Sequence, residues 1–202
     1  MKLIIIGIQG SGKGTQSKLI SKEYNLQHIS TGDAIRKEIS SNSELGKRFK
    51  EYSDAGKLVP DSLVNEILQA NLPQDNYLLD GYPRNLSQAE FLEENNAPEK
   101  IIYLELPEEE VMNRLSNRFV CKTCKIDYGL NNMPQAPGIC NKCQGKIERR
   151  KDDADESAIK KRIEEFKNET LPLLKFYSER VLTIDGNQTV EEVFSDIQTA
   201  LN

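Results

Sequence analysis

The chain has 202 residues, of which 37% are hydrophobic and 29% charged, and it carries a net charge of −5. That length gives room for one α/β core with one or two small insertions. A mean hydropathy of −0.60 and an isoelectric point near 5.2 suit a soluble globular protein, exclude a disordered chain, and speak against nucleic-acid binding as the main role. The apolar stretch Leu3 to Ile6 is far too short for a membrane span or a signal-peptide core, so a cytoplasmic location without membrane association is expected.

In chain order, Lys2-Leu-Ile-Ile-Ile6 is an isoleucine-rich run that stops at Gly7, as a buried parallel strand does. A glycine-rich loop from Gly7 to Gly14 follows, and Thr15 to Tyr24 reads as a helix. His28, the one histidine, reads as a hydrogen-bonded structural residue in the turn from strand to insertion. Residues 30–59 hold only helical patterns broken by Ser, Gly and charged residues. Val64, Ile67 and Leu68 mark another helix, and apolar runs at 77–81 and 101–107 read as strands ending in polar or turn residues. Residues 117–153 hold all four cysteines, several glycines and prolines, and little apolar periodicity. A last strand is expected at 181–186, and Val190, Val193, Phe194, Ile197 and Leu201 form the stripe of a final helix. Strands alternating with helices predict an α/β fold, a parallel sheet with helices on both faces. The expected core is then 1–29, 60–116 and 154–202, with insertions at 30–59 and 117–153 on the ligand end of the sheet.

Two motifs carry chemistry. Gly7-Ile-Gln-Gly-Ser-Gly-Lys13-Gly14-Thr15 fits G-x4-G-K after a strand and before a helix, the context of a phosphate-binding P-loop. Glycines let backbone N–H groups approach phosphate oxygens, the helix N-terminus adds favourable partial charge, and Lys13 reaches the outer phosphates. Gly14 separates Lys13 from Thr15, so the hydroxyl does not directly follow the lysine as in the generic motif. The second motif is Cys121-x2-Cys124, fifteen residues, then Cys140-x2-Cys143, the spacing of a four-thiolate zinc site built from two knuckles. A closed set of four thiolates leaves no position for substrate, so the expected Zn²⁺ is structural, a staple for a segment too short to fold alone.

The wording GxxGxGKGTQ resembles that of the nucleoside monophosphate kinases. Ser30-Thr31-Gly32-Asp33-Ala34-Ile35-Arg36, Gly56-Lys57-Leu58-Val59-Pro60-Asp61 and Asp80-Gly81-Tyr82-Pro83-Arg84 followed by Gln88 resemble three further blocks of the adenylate kinase family, in the same order and at similar spacing. The resemblance covers essentially the whole chain. It implies Mg²⁺-dependent, reversible phosphoryl transfer from ATP to AMP giving two ADP, by a monomer, and some bacterial members carry a metal in the lid.

The same resemblance implies the site residues. ATP would lie on Gly10, Ser11, Gly12, Lys13, Gly14 and Thr15, with Arg114, Arg118, Asp127, Tyr128 and the backbone at Gln188. AMP would meet Thr31, Arg36, Lys57, Leu58 and Val59 on one side and Gly81, Tyr82, Pro83, Arg84 and Gln88 on the other. Within that set Arg36 and Arg84 hold the AMP phosphate and Gln88 reads the adenine edge. Arg150 and Arg162 would converge on the transferring phosphates, making Lys13, Arg84, Arg118, Arg150 and Arg162 the catalytic cations; Asp80 would orient Mg²⁺ through water. Phe119 stands where relatives often have a second arginine. Arg162 comes one residue later than the family spacing, which leaves both Asp152-Asp153 and Asp153-Ala154 as registers for an acidic pair. Two other readings are weighed: a CMP or UMP kinase, and a zinc-ribbon nucleic-acid-binding ATPase. The long lid and Gln88 favour the adenylate kinase reading over the first. Net negative charge and the lack of a basic, aromatic-rich stripe in 121–143 argue against the second.

Overall fold

Strand β1 (Lys2–Gly7) is buried along nearly its whole length, which is why it reads as an unbroken apolar run and occupies the middle of a parallel sheet. The computed structural model describes residues 1–54, 59–149, 153 and 156–202. After β1 come helix α1 (Lys13–Glu23), strand β2 (Gln27–Ser30), helices α2 (Thr31–Ser41), α3 (Glu44–Asp54) and α4 (Asp61–Asn71), and strand β3 (Tyr77–Asp80). Helix α5 (Leu86–Asn96), strand β4 (Lys100–Glu105) and helix α6 (Glu108–Ser116) lead to three short strands, β5 (Phe119–Cys121), β6 (Asp127–Tyr128) and β7 (Ile147–Arg149). Helix α7 (Glu156–Glu165) runs into a π-helical stretch, Phe166–Thr170; then follow α8 (Leu173–Phe176), β8 (Val181–Asp185) and α9 (Val190–Leu201). Among the described residues no helix is long and apolar enough to cross a membrane.

The main sheet has the order β2-β3-β1-β4-β8, all parallel. The chain builds outward from β1 to one edge and then crosses to the other, so the carboxyl ends of β1 and β3 flank the point where the winding reverses, the usual place for a ligand in such folds. Register sets which residues share that rim: Asp80 lies opposite Ile5 on one side and Ser30 on the other. One face packs Ile4, Leu79, Ile101 and Ile6 against α5, α6 and α7; the other packs Leu3, Ile5, Leu78 and Ile102 against α1 and α9. Helix starts are capped by side chains that suit the task. Ser30 accepts from the Asp33 N–H, Asn85 from the Gln88 N–H, and Thr189 with Glu192 forms a capping box.

Three elements depart from the sequence expectation. β2 is a strand, and His28 lies within it rather than in a turn; its single fully buried residue, Ile29, left no apolar run to mark it. The cysteine segment holds an antiparallel sheet in the order β6-β5-β7, whose strands of two or three residues are too short to show a period. Helix α1 starts at Lys13, inside the glycine-rich motif, two residues before Thr15.

Helices α2, α3 and α4 share a small cluster of their own, with Phe49 at 1% exposure packed among Leu63, Ile67, Ile35, Ile39 and Val59. Its apolar area is small compared with that of either sheet face, so its stability depends heavily on that one ring. Phe49→Ala is expected to cost about 3 kcal/mol locally. Hydrogen exchange should then quicken through 31–54 and 61–71 while β1 and β4 keep their protection; equal quickening in β1 would show a single cooperative unit.

Candidate active site

The loop after β1 is shaped by glycine. Gly10 and Gly12 have φ of 89° and 93°, a left-handed conformation that side chains resist, and Gly12 caps α1 without a side chain. The first N–H groups of that helix therefore face the loop, where an anion can take them. Lys13 folds back across it, donating from Nζ to the carbonyls of Gly7 and Ile8. Burial lowers its pKa to about 8, Asp80 opposes that shift, and Arg84, Arg118 and Arg162 add to it. Those four side chains thus lie close enough to Lys13 for their charges to be felt. Ser11 is buried, and its hydroxyl has no hydrogen-bond partner among the described residues; Thr15 and Gly14 lie exposed on the first turn of α1.

Asp80 stands at the end of β3 facing the start of α1: a Cβ added at Gly14 would come within 3.8 Å of its Oδ2. Burial works against its ionisation, but the neighbouring His28, Lys13 and Arg84 outweigh it and hold the carboxyl below its usual range. His28 Nε2 lies 3.5 Å from Asp80 Oδ2, a close polar contact without hydrogen-bond geometry. Beyond Asp80 the chain turns through Gly81, with φ of 82°, and the cis bond between Tyr82 and Pro83.

Arg84 donates from Nε to the Gly81 carbonyl, 2.9 Å away, and its own carbonyl accepts from Thr170 of the π-helical stretch. It is open to the cleft, yet surrounding protein, then Arg162, lower its pKa; Arg36 is also within electrostatic reach. Arg36 is exposed and pairs with Asp33. Thr31, at the start of α2, is buried with its hydroxyl unpartnered among the described residues. Val59 packs partly buried against the Phe49 cluster. Gln88, 4% exposed, accepts at Oε1 from the Arg84 N–H and donates from Nε2 to Asp61. Lys57, Leu58 and Arg150 lie outside the described residues.

On the opposite wall, Asp153 is fully buried between two arginines. Arg118 meets it with Nε at 2.8 Å and with its terminal nitrogen at 3.0 Å, and Arg162 at 2.5 Å. Two guanidinium groups from different elements are held side by side by one carboxylate, a geometry that suits the planar fork of arginine. Of the two registers open in the sequence, both contain Asp153; Asp152 and Ala154 lie outside the described residues. Arg114 ties three parts together, donating to Glu110 on its own helix, and to the Gly10 carbonyl and Asn187 at 3.5 and 3.3 Å. Gln188 is half-buried and turns its amide to the Asp185 carbonyl and Asp196.

The cysteines converge as their spacing predicts. The four sulfurs all lie within 4.8 Å of one another, close to the edge of about 3.8 Å that a tetrahedron of Zn–S bonds requires. Both knuckles repeat one backbone plan: the Lys125 N–H donates to the Cys121 carbonyl, and the Gln144 N–H to that of Cys140. Lys125 and Gln144 each take a left-handed φ of 59°. The Tyr128 hydroxyl donates to Cys140 Sγ at 3.2 Å while accepting from the Asn141 N–H. It is the main reason the Cys140 thiol falls to about 6. For Cys124 the Ile126 N–H favours the thiolate, but burial and the other sulfurs outweigh it and push the thiol up to about 12. Four thiols cannot all ionise together unless a cation neutralises them, so the donor set fits a divalent metal. Tyr128 therefore turns its side chain into the cluster, leaving Asp127 and backbone as what β6 presents outward, and Phe119 packs on the same cluster.

Sequence reasoning quoted Asp61 only as a motif letter and gave Asn85, Glu110 and Thr170 no part. Asp61 and Asn85 could have been found from their places at or next to helix starts beside the Arg84 block; Thr170 left no signal, since only the fold brings it to Arg84.

A family model described as adenylate kinase matches residues 5–182. Among curated relatives, the adenylate kinase of Thermoanaerobacter sp. (strain X514) is 41% identical over 213 aligned positions, covering all of this chain and 98% of its own. That of Clostridium novyi (strain NT) is 40% identical, with 98% and 96% covered. The adenylate kinase of Methanothrix thermoacetophila is 37% identical, with 100% and 99% covered.

Removing the charge of Asp153 leaves two half-buried cations side by side without the carboxylate they share. Asp153→Asn keeps the shape and is expected to lower stability by about 3–5 kcal/mol, read as a lower urea midpoint. An unchanged midpoint would show that both arginines are satisfied elsewhere.

Proposed function

Because the chain belongs to the adenylate kinase family and so catalyses ATP + AMP ⇌ 2 ADP, we propose that the cleft between the Gly7–Thr15 loop, Arg84 and the Arg118–Asp153–Arg162 wall is where the phosphoryl group moves. The observation that carries this is that Arg84, Arg118, Arg162 and Asp80 all lie within electrostatic reach of Lys13, with Arg118 and Arg162 held together by Asp153. Phosphoryl transfer asks a protein for alignment, charge stabilisation and exclusion of water, and little covalent chemistry.

ATP phosphates lie against the loop N–H groups and Lys13, with Arg114 bracing the loop at Gly10. The unpartnered hydroxyl of buried Ser11 supplies one more donor. Asp127 and Gln188 bound the rest of the ATP site. AMP enters on the other side, its phosphate between Arg36 and Arg84, Thr31 offering its free hydroxyl and Val59 an apolar surface. The Gly81–Arg84 turn shapes this pocket, and Gln88 reads the base. By family resemblance Lys57 and Leu58 join the AMP site and Arg150 the transfer site.

An AMP phosphate oxygen attacks the terminal phosphorus of ATP, the bond to the bridging oxygen breaks, and the two products are both ADP. Arg84, Arg118 and Arg162 stabilise the charge spread over the moving group. Mg²⁺ bound with ATP would neutralise phosphate charge beside Asp80, whose ionised carboxylate faces the phosphate loop and fits an outer-sphere partner. Zn²⁺ held by Cys121, Cys124, Cys140 and Cys143 would be structural, since four thiolates leave no open position. Residues 30–59 act as the AMP-binding insertion and 117–153 as the lid, closing on the core of 1–29, 60–116 and 154–202 so that water does not take the phosphoryl group. The reading includes a cytoplasmic monomer without nucleic-acid or membrane partners. The comparisons favour AMP as acceptor over CMP or UMP.

A linked adenosine–polyphosphate–adenosine analogue should inhibit competitively against both ATP and AMP, and Arg84→Ala should cut kcat/KM by about 10²-fold or more with the fold intact. Inhibition against one nucleotide alone, or near-normal turnover in that variant, would overturn the site.

For the metal, one equivalent of zinc per chain is expected, and replacing Cys140 and Cys143 by Ser should lower the melting temperature. Protease should then cut first between residues 120 and 145 while the sheet stays folded. Zinc-free protein with the same melting curve would make the cysteines incidental.

A further inference from the structure

Gln88 sits inside a hydrogen-bond network whose members have no freedom in what they can give or take. A glutamine amide has two ends of similar size, and its orientation is decided by its partners. Here the Arg84 backbone N–H, which can only donate, meets Oε1 at 2.9 Å. The Asp61 carboxylate, which when ionised can only accept, meets Nε2 at 2.6 Å. Asp61 is itself fixed, because Asn85 Nδ2 donates to both of its oxygens at 3.1 and 3.0 Å. Asn85 cannot reverse either, since its Oδ1 accepts from the Gln88 N–H. The loop is closed: each amide is oriented by an obligate donor at one end and the same carboxylate at the other.

We propose that Asp61 is a specificity-determining positioning residue, locking the Gln88 amide so that it favours adenine over a 6-oxopurine in the nucleoside monophosphate site. This rests on the placing of the acceptor base at Gln88. After both internal bonds the Gln88 amide keeps one N–H and one oxygen lone pair. Adenine presents a ring nitrogen that accepts at position 1 and an amino group that donates at position 6. Hypoxanthine and guanine present the reverse, an N–H at position 1 and a carbonyl oxygen at position 6. A freely turning glutamine would serve either pattern by flipping through 180°. With Asp61 in place, a flip would set Oε1 against a carboxylate and Nε2 against an N–H, two repulsive contacts in a buried place. Discrimination then comes from the cost of the wrong orientation as much as from the bonds of the right one.

The test is kcat/KM for AMP and for IMP at saturating ATP in wild type, Asp61→Asn, Asp61→Ser and Gln88→Ala. Both replacements at 61 offer a group that can donate or accept, so one of the two contacts that oppose the flip is removed and only the Arg84 N–H still resists it. The AMP:IMP ratio should fall about tenfold, with IMP turnover rising in absolute terms and KM for ATP unchanged. A rise for IMP separates this from structural damage, which would lower both substrates together; Asp61→Ser serves if Asp61→Asn folds poorly. An unaltered ratio in both variants, or equal losses for AMP and IMP, overturns the lock while a lowered ratio in Gln88→Ala leaves the base reading standing. An unaltered ratio in Gln88→Ala overturns both.

Discussion

Cations that repel one another have to be gathered around a single cleft, in a chain whose net charge is −5. Lys13 feels the charges of Arg84, Arg118 and Arg162, and Arg84 that of Arg162, and like charges gathered in a partly desolvated place repel. Carboxylates set behind the cations make the gathering possible: Asp153 between Arg118 and Arg162, Asp80 beside Lys13, Asp33 beside Arg36, Glu110 beside Arg114. Lys13 bonds loop carbonyls meanwhile, and its lowered pKa records a charge that a polyphosphate would relieve.

Sheet order turns that electrostatic arrangement into alignment. The phosphate loop and the Arg84 turn leave the carboxyl ends of adjacent strands, β1 and β3, so the groups proposed for ATP and for AMP are offset by one strand spacing, about 5 Å. Arg162 arrives from the far end of the chain on α7, and the Thr170 hydroxyl ties the next segment to the Arg84 carbonyl. A regular α-helix would have carried residue 170 to a different angular position; the π-helical turn widens the spiral there.

Much of this was legible in the sequence, for definite reasons. β1, β3 and β4 show because strands buried on both faces are largely apolar, edge strand β8 shows because Val181, Leu182 and Ile184 still make an apolar run, and the Gly10 and Gly12 spacing shows because the backbone there needs a left-handed φ. The cysteine pairs show because tetrahedral coordination fixes ligand spacing. What stayed hidden depends on partners distant in sequence. Edge strand β2 buries one residue fully, so it has no period. Tyr128 is expected at ATP by resemblance, and nothing local in the sequence says that its hydroxyl bonds Cys140 Sγ. Asp61 and Gln88 are 27 residues apart, and nothing local says that one orients the other.

The cysteine segment shows the opposite strategy from the sheet. Its buried apolar set is Cys121, Tyr128, Cys140 and Ile147, far too little area to offset the entropy of ordering some thirty residues. A metal held by the four sulfurs would supply stiffness without volume, letting the segment be internally rigid while keeping a polar, charged surface. Tyr128 joins the two roles: its hydroxyl bonds a sulfur while its backbone belongs to β6, beside Asp127. Holding the four sulfurs in place would therefore also fix the strand proposed to face ATP, so an ion there would aid binding without touching the substrate.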